Sequence, residues 1–383
     1  AASLRIGRIA LDLMDSNIKN VVVDYDPNGS LVTTHLSQGS DLGLTGGILG
    51  WETDDARLPN YRDEVVNAGI KIEVRYLDYG AEHPNTYRLA LRSDNKEHTM
   101  TAISTGGGMI EVQQIDGVPV SMKGDYFETL IFLKGADEGL LGWLSQDNSF
   151  EEVLFTESGD CSLINLKGRE KPNNEILEEL KSYPSVSEVR VLNPVLPVLA
   201  KKDLKVPFSS VQEMEEYRKG KEEMSLGELG AIYESERAGV SLDQVRNQME
   251  SLIKTMENSI ALGLKGTHYD DRILHSQSPR FGEKMSSGQL VPGDVLNRII
   301  LYVSSMMEMK SSMGVIVAAP TAGSCGALPG AILGVSDAME KSMDKRIDAM
   351  FAAGIVGVFI ASGATFAAEE AGCMAECGSG ASM

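Results

Sequence analysis

The strongest constraint on this chain is a single change in the period of its apolar residues. Over residues 21–134 short runs alternate apolar and polar side chains, as in NVVVDYD, KIEVRYLDYG, TYRLALRS, HTMTAIS, MIEVQQIDGVPV and FETLIFLKG. Alternation of period two, rich in Val, Ile, Tyr and Thr, specifies strands with one buried face. After Pro207 the spacing becomes three and four residues, as in SLGELGAIYESERAGVSLDQVRNQMESLIKTMENSIALGLKG, with Gly239 placed to separate two helices. A chain that switches period in this way is α+β rather than a uniform bundle or sandwich. We expect a mostly antiparallel, β-rich N-terminal domain over residues 1–145 and an all-helical domain over residues 207–383.

Between them, over residues 146–206, CSLINLKG reads as a strand, NNEILEELKSY as an amphipathic helix and SEVRVLNPVLPV as a second strand, a small βαβ unit. Pro184, Pro194 and Pro197 punctuate it, and Lys201, Lys202, Asp203 and Lys205 mark a linker. In the β-rich part, Asp116-Gly117 predicts a hairpin turn, and the glycine-dense run from Leu42 to Gly50 predicts a helix packed closely on the sheet. The run from Ala349 to Ala368 carries no charge and is long enough to cross a bilayer. Its Gly354, Gly357, Gly363, Ser362 and Thr365, with Asp348 and Glu369 at its flanks, favour the central, buried helix of a bundle instead.

Charge and cysteine usage narrow the function classes. With 35 basic against 55 acidic residues the net charge is -20, which repels nucleic acid and an anionic membrane surface. Four cysteines, at 161, 325, 373 and 377, are too few for a secreted disulfide framework, so a reducing cytoplasm is expected. The N-terminal AASLRIGRIALDLM starts inside a helical pattern, and the C-terminal CGSGASM stops without a polar end, so the sequence reads as a fragment cut at both termini. Apolar surface at such ends is something a second copy of the chain could cover, making a homo-oligomer.

Three segments could carry chemistry. In Ala319-Pro320-Thr321-Ala322-Gly323-Ser324-Cys325-Gly326, backbone N–H groups at a helix start and the Thr321 and Ser324 hydroxyls could hold a carboxylate; a tight helix connection explains the same glycines. Cys373 and Cys377, four residues apart, would share a helix face and are soft ligands for zinc or an iron–sulfur cluster, with Cys325 a third thiol. Buried cysteine in a core is the competing explanation. Ser104-Thr105-Gly106-Gly107-Gly108-Met109 is like the glycine loop of pyridoxal-phosphate enzymes, but it joins two strands, which favours a wide turn. The five histidines, at 35, 83, 98, 268 and 275, form no zinc-hydrolase spacing.

Together these segments resemble the iron–sulfur-dependent L-serine ammonia-lyases, also called L-serine dehydratases. MGVIVAAPTAGSCGALPG (313–330) looks like the family's catalytic signature and EEAGCMAECGSGASM (369–383) like its first cluster-cysteine segment. SLGELGAIYESERAGVSLDQV resembles the start of its helical domain. RIGRIALDL, LTGGILGWETDDARLP and STGGGMIEV resemble its β-rich domain, itself related to the allosteric substrate-binding domain of some D-3-phosphoglycerate dehydrogenases. The βαβ unit is loosely similar to part of an ACT regulatory domain.

The resemblance implies a [4Fe–4S] cluster held by three cysteines, its open iron acting as Lewis acid while L-serine is converted to pyruvate and ammonia. It places Cys373 on the first cluster ligand and Thr321, Gly323 and Ser324 beside the substrate, and it assigns no general base; His268, His275 and Lys310 are available. The family's other two cluster cysteines would fall after Met383, and Cys325 and Cys377 are not inherited ligands. As it stands the chain is expected not to assemble a complete cluster unaided. Gln38-Gly39-Ser40-Asp41 stands where the family has His-Gly-Thr-Asp, and a Ser/His-rich segment would precede Ala1. Rival readings are a dehydratase or desulfidase for L-threonine or L-cysteine, a cluster-free amino-acid-binding regulator, and pyridoxal-phosphate chemistry, for which no lysine stands in a Schiff-base motif.

Overall fold

A computed structural model describes the chain except residues 148, 160, 197–204, 222, 270–273 and 365–370. It divides into two compact units, Ala1–Asp203 and Leu204–Met383.

The first unit begins with helix α1 (Ala2–Leu13), strand β1 (Asn20–Tyr25), helices α2 (Leu31–Thr34), α3 (Ser40–Ile48) and α4 (Tyr61–Asn67), and strand β2 (Lys71–Tyr76). Strands β3 (Thr86–Arg92), β4 (Glu97–Gly106), β5 (Met109–Ile115) and β6 (Val118–Met122) follow, and the sheet order is β2-β1-β3-β4-β5-β6. Only β1 and β2 pair in parallel, through the helical crossover between them, so the sheet is mostly antiparallel as expected. Asp116 and Gly117 both take positive φ, 51° and 78°, and connect Ile115 to its partner Val118 as a two-residue hairpin loop. The glycine run at 106–108 closes the β4–β5 hairpin, where the register shifts.

Ile6, Ile9, Ala10 and Leu13 line one stripe of α1 and join Val21, Val23, Leu89, Met100 and Val112 in the core. The helix predicted over 42–50 forms, but it packs chiefly on α1. A Cβ at Gly47 would lie 2.0 Å from the Leu4 carbonyl oxygen, and one at Gly7 2.3 Å from that of Leu44. The two backbones touch, and helix-on-helix contact takes the glycine-rich face that local reading assigned to the sheet.

A second sheet is built by β7 (Phe127–Leu133), α5 (Glu138–Leu144), β8 (Glu152–Ser158), β9 (Cys161–Gly168), α6 (Asn174–Ser182) and β10 (Val186–Leu192), in the order β10-β7-β9-β8. β9, α6 and β10 form the expected βαβ, but split, with β7 inserted between its strands and antiparallel to both. The sheet therefore starts with β7, before the boundary expected at residue 145. Periodicity marks β7 as a strand and is silent on which strand it pairs with. Ile131, Leu133, Ile164 and Leu166 face Leu140, Leu144 and Leu180 of the two helices.

Two buried ionisable groups mark the first unit. The His98 ring is 5% exposed; its Nδ1 lies 2.7 Å from Asp116 Oδ2 and its Nε2 3.3 Å from Glu188 Oε2, too poorly aligned for a hydrogen bond but close enough for ion pairing. Burial opposes the charged ring, but the two carboxylates outweigh it and hold the pKa up at about 9. Glu128 on β7 is 2% exposed, and burial raises its pKa to about 8.

The second unit holds α7 (Val211–Arg218), α8 (Leu226–Ala238), α9 (Leu242–Lys265), α10 (Ser278–Ser286), α11 (Asp294–Ser311), α12 (Ala327–Ala338), α13 (Met343–Gly363) and α14 (Cys373–Ser382), and among its described residues there is no strand. Capping boxes at Ser225/Glu228 and Ser241/Gln244 start α8 and α9, and Gly239, at φ 67°, ends α8 as predicted. Ile253, Met256, Ile260, Met306, Leu333, Met350 and Phe351 make the core. The helix expected to be central and buried is buried on one side only: Phe351, Ala353, Ile355 and Gly357 are covered while Gly354 and residues 361–363 are exposed. By length and composition α13 could cross a membrane, and a third of its most apolar stretch is buried. Residues 365–368 of the predicted run lie outside the described residues.

Gly47→Ala is expected to destabilise the first unit by about 1–3 kcal/mol or more in denaturant unfolding, because overpacking forces two backbones apart. Gly142→Ala, where a Cβ meets nothing within 4 Å, is the control and should be neutral or slightly stabilising. Both His98 and Glu128 hold protons more tightly folded than unfolded, so their contributions are complete below the unfolded values and lost as pH rises through about 9 and about 8. Denaturant midpoints of the first unit should therefore fall as pH rises from about 4.5, the ordinary Glu value, to about 9. Glu128→Gln should remove the lower part of that fall and His98→Gln the upper part.

Candidate functional site

Helix α12 places the turn that precedes it. Gly326, Gly330 and Gly334, at helical spacing, lie against α11: a Cβ at Gly330 would be 2.7 Å from the Val303 backbone nitrogen and one at Gly334 3.0 Å from that of Ile299. The run leading into the turn is held from α9, where the Ser259 hydroxyl donates to the Val315 carbonyl at 2.7 Å. Between these anchors Thr321 and Ser324 are 2% and 3% exposed. Their hydroxyls are 3.0 Å apart, and the Ser324 N–H donates to Thr321 Oγ1 at 3.3 Å.

The group facing this turn is a carboxylate from the chain itself. Glu376, on α14, presents Oε1 to the Gly323 N–H at 3.1 Å and to the Thr321 hydroxyl in a short hydrogen bond. A Cβ at Gly323 would lie 2.2 Å from Glu376 Oε2, so only glycine leaves room for the carboxylate. One turn further along α14, a Cβ at Gly380 would lie 2.9 Å from the Ser324 Cβ. The reading of Thr321, Gly323 and Ser324 as a carboxylate cradle thus has a geometric counterpart. A hydroxyl and a backbone N–H converge on one anionic oxygen, and among the described residues no lysine or arginine pairs with it. Sequence reasoning missed Glu376, because nothing in the spacing of residues 321 and 376 announces that they meet.

The cysteines do not assemble. Cys325 is fully buried, its Sγ 4.0 Å from the Met307 sulfur, and burial pushes its thiol up to about 11. Cys161 is exposed in the first unit, and Cys377 is exposed on α14. Cys373 begins α14, and its side chain lies outside the described residues. Among the described residues no three His, Cys, Asp or Glu side chains gather as a metal site, so they do not fit the complete ligand set of a cluster. Of the groups offered as a base, Lys310 is near enough for its charge to act on the Cys325 thiol, whereas His268 and His275 are exposed ahead of α10.

In the first unit Asp41 receives His35 Nδ1 at 2.8 Å, while His35 Nε2 pairs with the Tyr76 hydroxyl at 2.9 Å. Asp41 also borders a cavity of about 210 Å³, walled by Val23, Leu44 and Ile72 with Thr45 and Arg62. His35, three residues before Gln38, thus sets an imidazole against Asp41.

Site-resolved alkylation of the native chain should modify Cys161 and Cys377 readily and Cys325 only on unfolding. Rapid native labelling of Cys325 would contradict its burial.

Residues 201–383 match the family described as serine dehydratase alpha chain. The probable L-serine dehydratase, beta chain, of Bacillus subtilis is 28% identical over 195 residues, covering 49% of this chain and 88% of that protein. The probable L-serine dehydratase, alpha chain, of the same organism is 26% identical over 176 residues, 46% of this chain and 58% of that protein. The L-serine dehydratase, alpha chain, of Peptoniphilus asaccharolyticus is 30% identical over 142 residues, 37% and 49% respectively. The chain thus spans about half the length of the alpha chains it matches.

Proposed function

From the chain's membership of the L-serine dehydratase family, we propose that it is a lyase acting on L-serine, with its substrate site at the Thr321–Ser324 turn. The observation that carries this reading is the carboxylate already seated there, held by the Thr321 hydroxyl and the Gly323 N–H within the family-matched segment. An amino acid's α-carboxylate offers the same oxygen to the same donors. Ser324, hydrogen-bonded to Thr321, orients that hydroxyl, and the buried setting strengthens each bond by excluding water. Anchoring the carboxylate fixes the Cα–H and the Cβ hydroxyl of L-serine; the α-proton and the hydroxide leave together as water, and the enamine formed tautomerises to an imine that takes up water to give pyruvate and ammonia.

Support for two fused roles comes from the relatives: a beta chain and an alpha chain each match about half of this sequence, and the alpha-chain family takes residues 201–383. The beta-like half would then be the first unit, whose split βαβ sheet fits an ACT-like module. Its cavity, with Asp41 and Arg62 on apolar walls, has the charge complement of a small zwitterion, which favours an amino-acid-binding role for that half as a second reading. The family's iron–sulfur cluster would take Cys373 as a ligand, and the described residues do not complete its ligand set.

After anaerobic reconstitution with iron and sulfide, formation of ammonia and the matching 2-oxo acid should be greatest with L-serine among L-serine, L-threonine and L-cysteine. Thr321→Val, which removes a hydrogen-bond donor to a charged group, should raise KM by roughly ten- to hundredfold with a smaller effect on kcat. Ser324→Ala should act in the same direction and less. Cys373→Ala should abolish any visible absorbance that reconstitution gives, and retention of that absorbance would remove Cys373 from the ligand set. A Thr321→Val enzyme with unchanged KM would sink the substrate assignment.

A further inference from the structure

We propose that Glu376 is an internal competitor for the substrate: its carboxylate occupies the Thr321–Gly323 cradle and must swing out before an amino acid can bind there. This rests on the reading of that turn as the substrate site.

Donor count and charge set the competition. The Gly323 N–H and the Thr321 hydroxyl each have one hydrogen, and both are spent on Glu376 Oε1. A second carboxylate cannot use them while Glu376 stays, and two carboxylates in contact at this part-buried turn repel. Among the described residues the hydroxyls are covered on their other sides. Thr321 and Ser324 are 2% and 3% exposed, and α14 seals Ser324 through the close approach at Gly380. Glu376 is only half-buried, so its side chain has solvent to enter without movement of the helix. Displacement exchanges like for like: one carboxylate leaves as another arrives, and the buried donors are never left unpaired. A ligand that brings no carboxylate has nothing to offer in that exchange, so Glu376 also makes the turn selective for carboxylate-bearing molecules.

The apparent affinity of a site whose open form is a minor fraction is lowered by that fraction, so removing the competitor should recover it. The test titrates L-serine into the 15N-labelled full chain, reading amide shifts and hydrogen exchange at Gly323 and Ser324, for wild type, Glu376→Gln and Glu376→Ala. Glu376→Ala should speed exchange of the Gly323 N–H without ligand. L-serine should slow it again, with a dissociation constant roughly ten- to hundredfold below wild type, the range set by a lost hydrogen bond to a charged group. Glu376→Gln, which keeps the acceptor and loses the charge, should fall between, and it covers the case in which the alanine variant unfolds.

Weaker serine binding in both variants would overturn the proposal and make Glu376 a positioning residue. An equally slow Gly323 N–H with unchanged serine affinity would overturn the competitor alone. A Gly323 N–H that is freed by Glu376→Ala yet untouched by L-serine would instead overturn the substrate reading of the turn, and the competitor with it.

Discussion

Helix backbones brought into contact at glycine are what the structure depends on. At Gly7 and Gly47 the first two long helices of the first unit meet with no room for a side chain, and at Gly326, Gly330 and Gly334 helix α12 lies on α11 in the same manner. Such contacts forgo side-chain burial and gain a tight backbone fit that leaves little freedom in position. That exchange suits a site more than a core. The turn at 320–326 has few interactions of its own, and its placement is inherited from the α11–α12 contact below it and the α14 contact at Gly380 above it.

The electrostatics follow from the same geometry. A chain of net charge -20 has a long-range field that repels a carboxylate, and an exposed lysine or arginine would compensate only in a screened, mobile way. The turn instead uses a backbone N–H and a hydroxyl, fixed in place and partly shielded from water, where each dipole counts for more. An empty cradle of that kind would leave buried donors unpaired, and Glu376 answers that cost. At the point of contact the Glu376 carboxylate offers the same group as the α-carboxylate of any amino acid.

Much of this was legible beforehand. The strand runs, the Asp116-Gly117 hairpin, the end of α8 at Gly239 and the α+β division rest on interactions within a few residues, and each formed as read. The APTAGSCG turn was legible as a carboxylate holder because hydroxyl and glycine spacing is local too. What failed to show was pairing over distance. β7 looks like its neighbours but belongs to the second sheet, the glycine-rich α3 turned to α1 instead of the sheet, and α13 proved apolar without being enclosed. Cys325 had the right element for a metal and the wrong surroundings.

The amino-acid sequence by itself determined which segments are strands and helices, where the turns fall and which residue types stand ready for a carboxylate, because period, capping and turn chemistry act through near neighbours. Only the tertiary structure decided that the cradle is filled by Glu376, that Cys325 is a buried thiol and that His35 joins Asp41 beside a cavity. Each of these depends on bringing together residues far apart in the chain or on burial, and the free energy that selects them comes from desolvation and close packing summed over the folded unit, which no local window contains.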